Sequence, residues 1–348
     1  TTYTYTYNGS QLVQMTVDGN TLRFAYDAAG TPLSVNYNGT TYIDTMSLPA
    51  TERFIELTHE EYKKRCGDRL GRSIKGIFTD EPCLLGRGSF PGLIPWTGDL
   101  LADFKSLGYD ESHLPALFEQ KNGGDKRIKE DYLQLVYERM NRVFYGQIAD
   151  WCDRHGILLA GHPEYSSDIH LLSRFGIPCQ DIVWRYLYPG EPTNIRGVHS
   201  TMGKCSADSA KHRGRRRNGN EVFGACGRSD DPWNLPSEDL KWYLDWLFVR
   251  GVNMMVPHAF FFSLRGDRGD ERPPDVGMNS IWWRDYTQQA DYMKRLCWLN
   301  TDSNNLTDVA VLATSAMLPW QPVQQLFRNQ IEFNYLEADL LKESTIAD

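Results

Sequence analysis

The sequence predicts an α/β protein: part of a (β/α) barrel, preceded by short antiparallel β-hairpins and followed by the start of an α/β domain. Three observations predict it. Residues 1–43 alternate apolar and polar positions around tight turns. From Asp44 onward, short apolar strands alternate with stretches of helical periodicity, the pattern of a parallel sheet with helical crossovers. Acidic residues then fall just after the ends of successive strands, where barrel enzymes place their chemistry.

In chain order, Asp18-Gly19 is a two-residue hairpin signal between the alternating stretches 12–17 and 22–26. A helix is expected from about Pro49, with Phe54, Leu57 and Tyr62 on one side, and a buried strand over Ile74-Lys75-Gly76-Ile77-Phe78. The stretch 126–154 carries Leu133, Val136, Tyr137, Met140, Phe144, Ile148 and Trp151 at helical spacing. Gly156 stops that helix before a strand at 157–160. Further strands are expected at 179–186, 221–224 and 253–262, with helices at 206–214, 238–250 and 281–299. Asp308-Val309-Ala310-Val311-Leu312 opens a new α/β unit that the remaining residues do not complete. The organisation expected is hairpins at 1–43, a barrel portion at 44–304 and the start of a C-terminal unit at 305–348.

Composition narrows the class of partner. The 348 residues carry a formal net charge of −8, which argues against nucleic acid, since phosphate neutralisation needs a basic surface. The run from Lys211 to Arg217 goes the other way and reads as a helix end with its loop. His212 within it is expected on the helix surface. No apolar run approaches a membrane span. The 7 cysteines are scattered without a Cys-x-x-Cys pair, so reduced, partly buried thiols are expected. The 10 Trp and 18 Tyr suit a sugar-binding protein, because their flat faces cover pyranose rings, although most of them are expected in the core. No Gly-rich phosphate loop or Gly-x-Ser-x-Gly elbow is present.

The residues that carry chemistry are the strand-end acids. Asp80 and Glu81 follow one strand, His162 and Glu164 the next, Asp181 lies in the third, Glu221 at the fourth and His258 at the fifth. Cleavage of a glycosidic bond needs one protonated carboxyl to release the leaving group and one carboxylate to attack the sugar or activate water. Glu81 and Glu221 suit these roles best, being far apart in the chain and each at a strand terminus. A lone carboxylate at such a place is more often a cap or an ion-pair partner; several at successive strands are harder to explain structurally. Asp80, His162, Glu164, Asp181, Trp184 and His258 are candidate substrate contacts, and Tyr186, Trp282 and Trp283 further candidate sugar platforms, at most one of the last pair serving. His162, Glu164, Asp168 and His170 form a polar cluster that is either a cation site or a set of substrate contacts and structural groups.

The string Lys75-Gly76-Ile77-Phe78-Thr79-Asp80-Glu81-Pro82 resembles the fourth-strand signature of clan A glycoside hydrolases, whose acid/base glutamate follows an Asn. Asn220-Glu221-Val222-Phe223-Gly224-Ala225 is similar to their seventh-strand segment with the second carboxylate. Within that clan the chain most resembles the alpha-L-rhamnosidase-related group. The resemblance implies strands four to eight of a TIM-type barrel, a carbohydrate substrate and calcium as a candidate cation. Asp80 departs from the pattern, lacking the amide that would donate to a sugar hydroxyl. The hairpin stretch Phe24-Ala25-Tyr26-Asp27-Ala28-Ala29-Gly30 resembles the tyrosine–aspartate repeat of Rhs-type proteins. With no strands one to three in view, an open half-barrel with two exposed edges is expected, and weak or absent activity for the isolated chain. The competing expectation is a carbohydrate-binding or inactive piece joined to an Rhs-type repeat.

Overall fold

Five strands, β1 (Tyr3–Asn8), β2 (Gln11–Val17), β3 (Asn20–Tyr26), β4 (Pro32–Tyr37) and β5 (Thr40–Ile43), pair antiparallel in sequence order. Gly19 takes φ 84° at the β2–β3 turn, a conformation open to glycine. Across the second and third strands the Tyr26 hydroxyl donates to the Leu12 carbonyl at 2.6 Å. The computed structural model describes residues 2–345 apart from 18, 27, 29, 31, 38–39, 86–92, 183–185, 227–232, 267–273 and 315–317. Asp18 of the expected turn lies outside the described residues.

The chain falls into two compact units. The first spans residues 1–77 and 82–158 and holds the hairpins with α1 (Leu48–Leu57), α2 (His59–Cys66), α3 (Leu100–Ser106), α4 (Gly123–Met140) and α5 (Gln147–Arg154). The Ser47 hydroxyl caps α1 by accepting from the Ala50 N–H. The expected single helix breaks after Leu57, where the Thr58 hydroxyl turns back onto the Phe54 carbonyl at 2.6 Å. Leu57 and Tyr62 end up exposed rather than on a buried side. The long helix expected at 126–154 forms as α4 and α5 joined by a π-helical turn, Asn141–Gly146. Leu100, Phe104, Leu117, Tyr132 and Val136 pack with Met46 into this unit's core. Arg139 is buried beside them, donating to the Met46 carbonyl at 2.9 Å and pairing with Asp99 and Asp103. A buried guanidinium persists only when its charge and donors are met in this way.

The second unit, residues 78–81 and 159–348, carries the parallel sheet. Strands β6 (Gly76–Asp80), β7 (Leu158–His162), β8 (Ile177–Asp181), β9 (Gly219–Val222) and β10 (Met255–Pro257) lie side by side in that order, with β6 and β10 at the two edges. The register sets Asp181 opposite Glu221, and Glu221 opposite Val256. The expected five-strand order is thus observed, with shorter strands. The third stops at Asp181 instead of running to Tyr186, and Pro257, which has no N–H to give, closes the fifth. Between and after the strands come α6 (Met202–His212), α7 (Ser237–Phe248) and α8 (Tyr286–Asn300). Trp282 and Trp283 sit before α8, at a 3-10 turn (Trp283–Asp285), and both stack on Tyr286 instead of facing opposite sides of a helix. Val222, Phe223, Leu240, Tyr243, Leu244 and Leu247 belong to the core behind the sheet.

The chain ends in β11 (Ala310–Ala313), α9 (Trp320–Arg328), β12 (Asn334–Glu337) and α10 (Ala338–Leu341), with β11 and β12 parallel. Asp208 of α6 accepts from the Asn334 amide and from the Tyr335 backbone N–H, each at 2.7 Å. Three residues of the basic run are engaged as well. Lys211 donates to the Asn305 carbonyl, Arg213 pairs with Glu337, and Arg216 with Asp302. His212 is not a bare surface residue, since its Nε2 lies 2.8 Å from the Tyr335 carbonyl oxygen. Among the described residues the cysteines are free thiols, and no helix is long and apolar enough to cross a membrane.

Candidate active site

The site is built from the C-terminal ends of β6 to β10 within the second unit. β6 ends at Asp80, and the next residue, Glu81, turns to φ 44° with its N–H on the His162 carbonyl at 3.1 Å. A non-glycine residue in this region carries strain that its surroundings must hold in place. Phe223 (φ 81°) and Ala225 (φ 54°) repeat the feature just beyond β9. The close approach of β6 and β7 depends on Gly161, where a Cβ would lie 2.0 Å from the Thr79 carbonyl oxygen. This brings His162, the last residue of β7, against the acids of β6.

His162 is the hub. It is 1% exposed, and its Nε2 lies 3.1 Å from Glu221 Oε2 and 3.7 Å from Asp80 Oδ1. Its other nitrogen faces the Pro163 carbonyl, and Phe78 meets the ring edge-on. Burial opposes its protonation, but the hydrogen bond to Glu221 and the charges of Asp181, Glu221 and Asp80 outweigh that and hold its pKa above the usual value. Side-chain ligand atoms of Asp80, Glu81 and His162 all lie within 4.8 Å of one another. The two glutamates, from strand ends more than a hundred residues apart in the chain, therefore meet around one imidazole. Glu221 is largely covered, at 16% exposure, whereas Asp80 is open at 67%.

Asp181, at the end of β8, and His258, after β10, both approach Gly224 beyond β9. A Cβ on Gly224 would lie 3.7 Å from Asp181 Oδ1 and 3.5 Å from His258 Cγ, so the lack of a side chain there leaves room for both. The His258 N–H donates to the Val222 carbonyl at 2.8 Å, and the His258–Ala259 peptide is cis. Trp184 lies outside the described residues. Tyr186 is exposed and stacked on His199, with centroids 3.9 Å apart and planes at 4°. His199 Nδ1 sits 3.2 Å from the Ser166 hydroxyl. His199 was not expected from the sequence, where it has no motif and lies 33 residues from its partner.

The expected cluster of His162, Glu164, Asp168 and His170 does not assemble as a cation site. His162 turns to Glu221, and His170 Nδ1 lies 3.6 Å from Glu337. Asp168 is buried at 3% exposure, and burial, followed by the charge of Glu164, pushes its pKa up to about 8. It is then a neutral acid near pH 7. The nearby group that does converge, Asp80, Glu81 and His162, offers two carboxylates and a nitrogen already engaged by Glu221. Calcium takes about six to eight oxygens, of which these two carboxylates supply a part.

Comparison with known proteins agrees with this architecture. Residues 18–347 match the family model described as alpha-L-rhamnosidase. The chain is similar in structure to a rhamnosidase from Novosphingobium sp. PP1Y, with TM-score 0.64 and 21% identity over 89% of this chain and 30% of that one. It also resembles a beta-galactosidase from the psychrophilic Marinomonas ef1, with TM-score 0.54 and 12% identity over 90% of this chain and 56% of that one. The chain therefore spans about a third of the length of that rhamnosidase. No curated protein sequence matches it. With a family match running over nearly the whole chain and the same fold in a solved rhamnosidase, this chain belongs to the alpha-L-rhamnosidase family of glycoside hydrolases.

Proposed function

We propose that this chain carries the bond-cleaving centre of an alpha-L-rhamnosidase, with Glu81 as the general acid and Glu221 as the second carboxylate. The observation that carries the reading is the meeting of the two glutamates around buried His162, with Glu221 Oε2 3.1 Å from its Nε2. Glu81 gives its proton to the glycosidic oxygen as the bond to the anomeric carbon breaks, while Glu221 attacks that carbon or takes a proton from an incoming water. His162 holds Glu221 in orientation and, when protonated, favours its ionised form. Asp80, Glu164, Asp181, Trp184 and His258 contact the sugar. As an acceptor, Asp80 suits a sugar hydroxyl that donates, the reverse of the amide it replaces.

The test is a pair of variants in the intact protein, assayed on rhamnosides with good and poor leaving groups. Glu221→Gln should stop turnover of both. Glu81→Gln should spare the aryl rhamnoside with the good leaving group far more than the alkyl one, because only the first leaves without a proton. Equal losses on the two substrates would remove Glu81 from the role of acid. A second reading is a carbohydrate-binding or inactive piece joined to an Rhs-type repeat, favoured by the open edges at β6 and β10. The family match takes in the hairpins from residue 18 onward, which favours the first reading.

A further inference from the structure

The first strand of the hairpin sheet is an edge without the usual protections. Among the described residues β1 has a strand partner on one side only, β2, and so ends the five-strand sheet. Residues 4 to 8 are all exposed, Tyr5 at 50% and Tyr7 at 59%. Sheet edges are ordinarily blunted by a charge, a proline, a bulge or a short strand, because a bare edge pairs with extended chains it meets. The opposite edge, β5, has only 4 residues and is followed by α1. β1 has 6 residues, Tyr-Thr-Tyr-Thr-Tyr-Asn, and no charged side chain or proline occurs anywhere in residues 1–17. A bulge does not interrupt it either. Thr6 faces Gln14 and Tyr7 faces Leu12, so the extra residue, Val13, belongs to β2.

The partner this edge fits best is a second copy of itself. A twofold interface matches residue i of one copy to j of the other and j to i, so it needs a surface that is its own complement. The stretch Tyr3-Thr4-Tyr5-Thr6-Tyr7 reads the same in both directions about Tyr5. Two such strands laid antiparallel, with Tyr5 opposite Tyr5, set Thr4 opposite Thr6 and position 3 opposite position 7. Residues directly opposite in an antiparallel pair share a face, and aromatic pairs and Thr–Thr pairs are favourable there. Tyr5 then meets its own copy on one face of the joint, and Thr4 meets Thr6 on the other. Charge agrees with this pairing. Each chain carries a net −8, which opposes association in general, whereas this strand brings no like charges together. We propose that β1 is a dimerisation edge, at which the hairpin sheets of two copies of this chain join antiparallel about Tyr5 into one continuous sheet. The exposed parts of Tyr5 and Tyr7 on both copies amount to on the order of 400 Å². Even with the strand backbones added, the joint stays below the ~1,200 Å² at which stable complexes begin. The dimer is therefore weak and reversible.

Sedimentation equilibrium of the full chain between about 10 and 500 μM, a range that spans weak dissociation constants, tests this. The parent should pass from monomer towards dimer across that range. Thr4 and Thr6 are exposed, so charges placed there should leave the hairpins folded, as circular dichroism would check. The double variant Thr4→Lys with Thr6→Lys sets like charges opposite one another in the proposed register. It should weaken the dimer at least about tenfold, although it brings the net charge of the chain closer to zero. The double variant Thr4→Lys with Thr6→Glu introduces as many charges but sets opposite signs across the joint, and should dimerise at least as well as the parent. A parent that stays monomeric throughout would overturn the proposal. Association of the doubly lysine-substituted chain as tight as the parent's would overturn it too, by placing the contact on another surface such as the β6 or β10 edge. So would loss of the dimer in both variants, because in a parallel pairing each position meets its own copy and both variants repel.

Discussion

At the scale of the residue, the centre is a set of charges that hold one another. His162 has Glu221 at 3.1 Å and Asp80 at 3.7 Å, and those acids outweigh the burial that would otherwise keep the ring neutral. Glu81→Gln keeps size and shape and removes only the transferable proton. A loss in kcat on the order of a hundredfold or more is expected on poor leaving groups, with the fold unchanged by circular dichroism. Asp168 gives a pH signature of a different kind. Its folded pKa of about 8 stands above the ordinary carboxyl value, so the folded chain holds a proton there that the unfolded chain releases. Stability then falls as pH rises from about 4 towards 8. Asp168→Asn should remove that slope: Tm should exceed the parent's at pH 8, and the gap should close towards pH 4. A gap that stays constant with pH would show that Asp168 does not titrate in this way. The acids of this centre were legible in the sequence because they follow apolar strands. The pairing of His162 with Glu221 was not, because nothing local in the chain reports which of several strand-end acids an imidazole will meet.

Among elements, periodicity found what it can see. The strands and the crossover helices stand where apolar runs and helical spacing put them, and their order follows from parallel crossovers. What it missed are local exceptions in which one hydrogen bond or one steric contact decides. Thr58 ends α1 by bonding back to Phe54, although the apolar spacing runs on to Tyr62. The π-helical turn at Asn141–Gly146 interrupts a helix whose apolar positions continue through it. The positive φ at Glu81 is likewise invisible in sequence, and more so because the following proline ordinarily holds its neighbour extended. Gly161 is the element-scale test. An added methyl would meet the Thr79 carbonyl oxygen at 2.0 Å in a backbone with φ 122°, so Gly161→Ala must push β6 and β7 apart. A stability loss of about 3 kcal/mol or more is expected, read by denaturant unfolding, together with loss of turnover as His162 leaves the acids. A variant that kept parental stability would show that the two strands have slack.

On the scale of the molecule, β6 and β10 are the edges of the parallel sheet among the described residues, as expected for strands four to eight alone. A closed barrel surrounds its substrate on all sides, whereas the parallel sheet among the described residues has five strands. The isolated chain should therefore turn over an aryl rhamnoside weakly or not at all. Robust turnover by these residues alone would show that the five strands suffice. Unpaired parallel strands also invite association, so the isolated chain should form oligomers at high concentration, visible by light scattering.

The tie between α6 and β12 has a consequence for how the protein comes apart. Lys204, 1% exposed, lies between Asp208 and Glu332, and Asp208 in turn grips Asn334 and the Tyr335 amide. If β12 let go, α6 would keep a lysine and an aspartate in an apolar setting with most of their partners gone, at a cost of several kcal/mol. The last two strands therefore cannot fray like an ordinary terminus. In native-state hydrogen exchange the Tyr335 amide should open with the same free energy as the amides of α6, as one cooperative block. Asp208→Asn should split that block, letting Tyr335 exchange early while α6 stays protected. Proteolysis should follow the same division, sparing residues 320–340 in the parent and clipping them first in the variant.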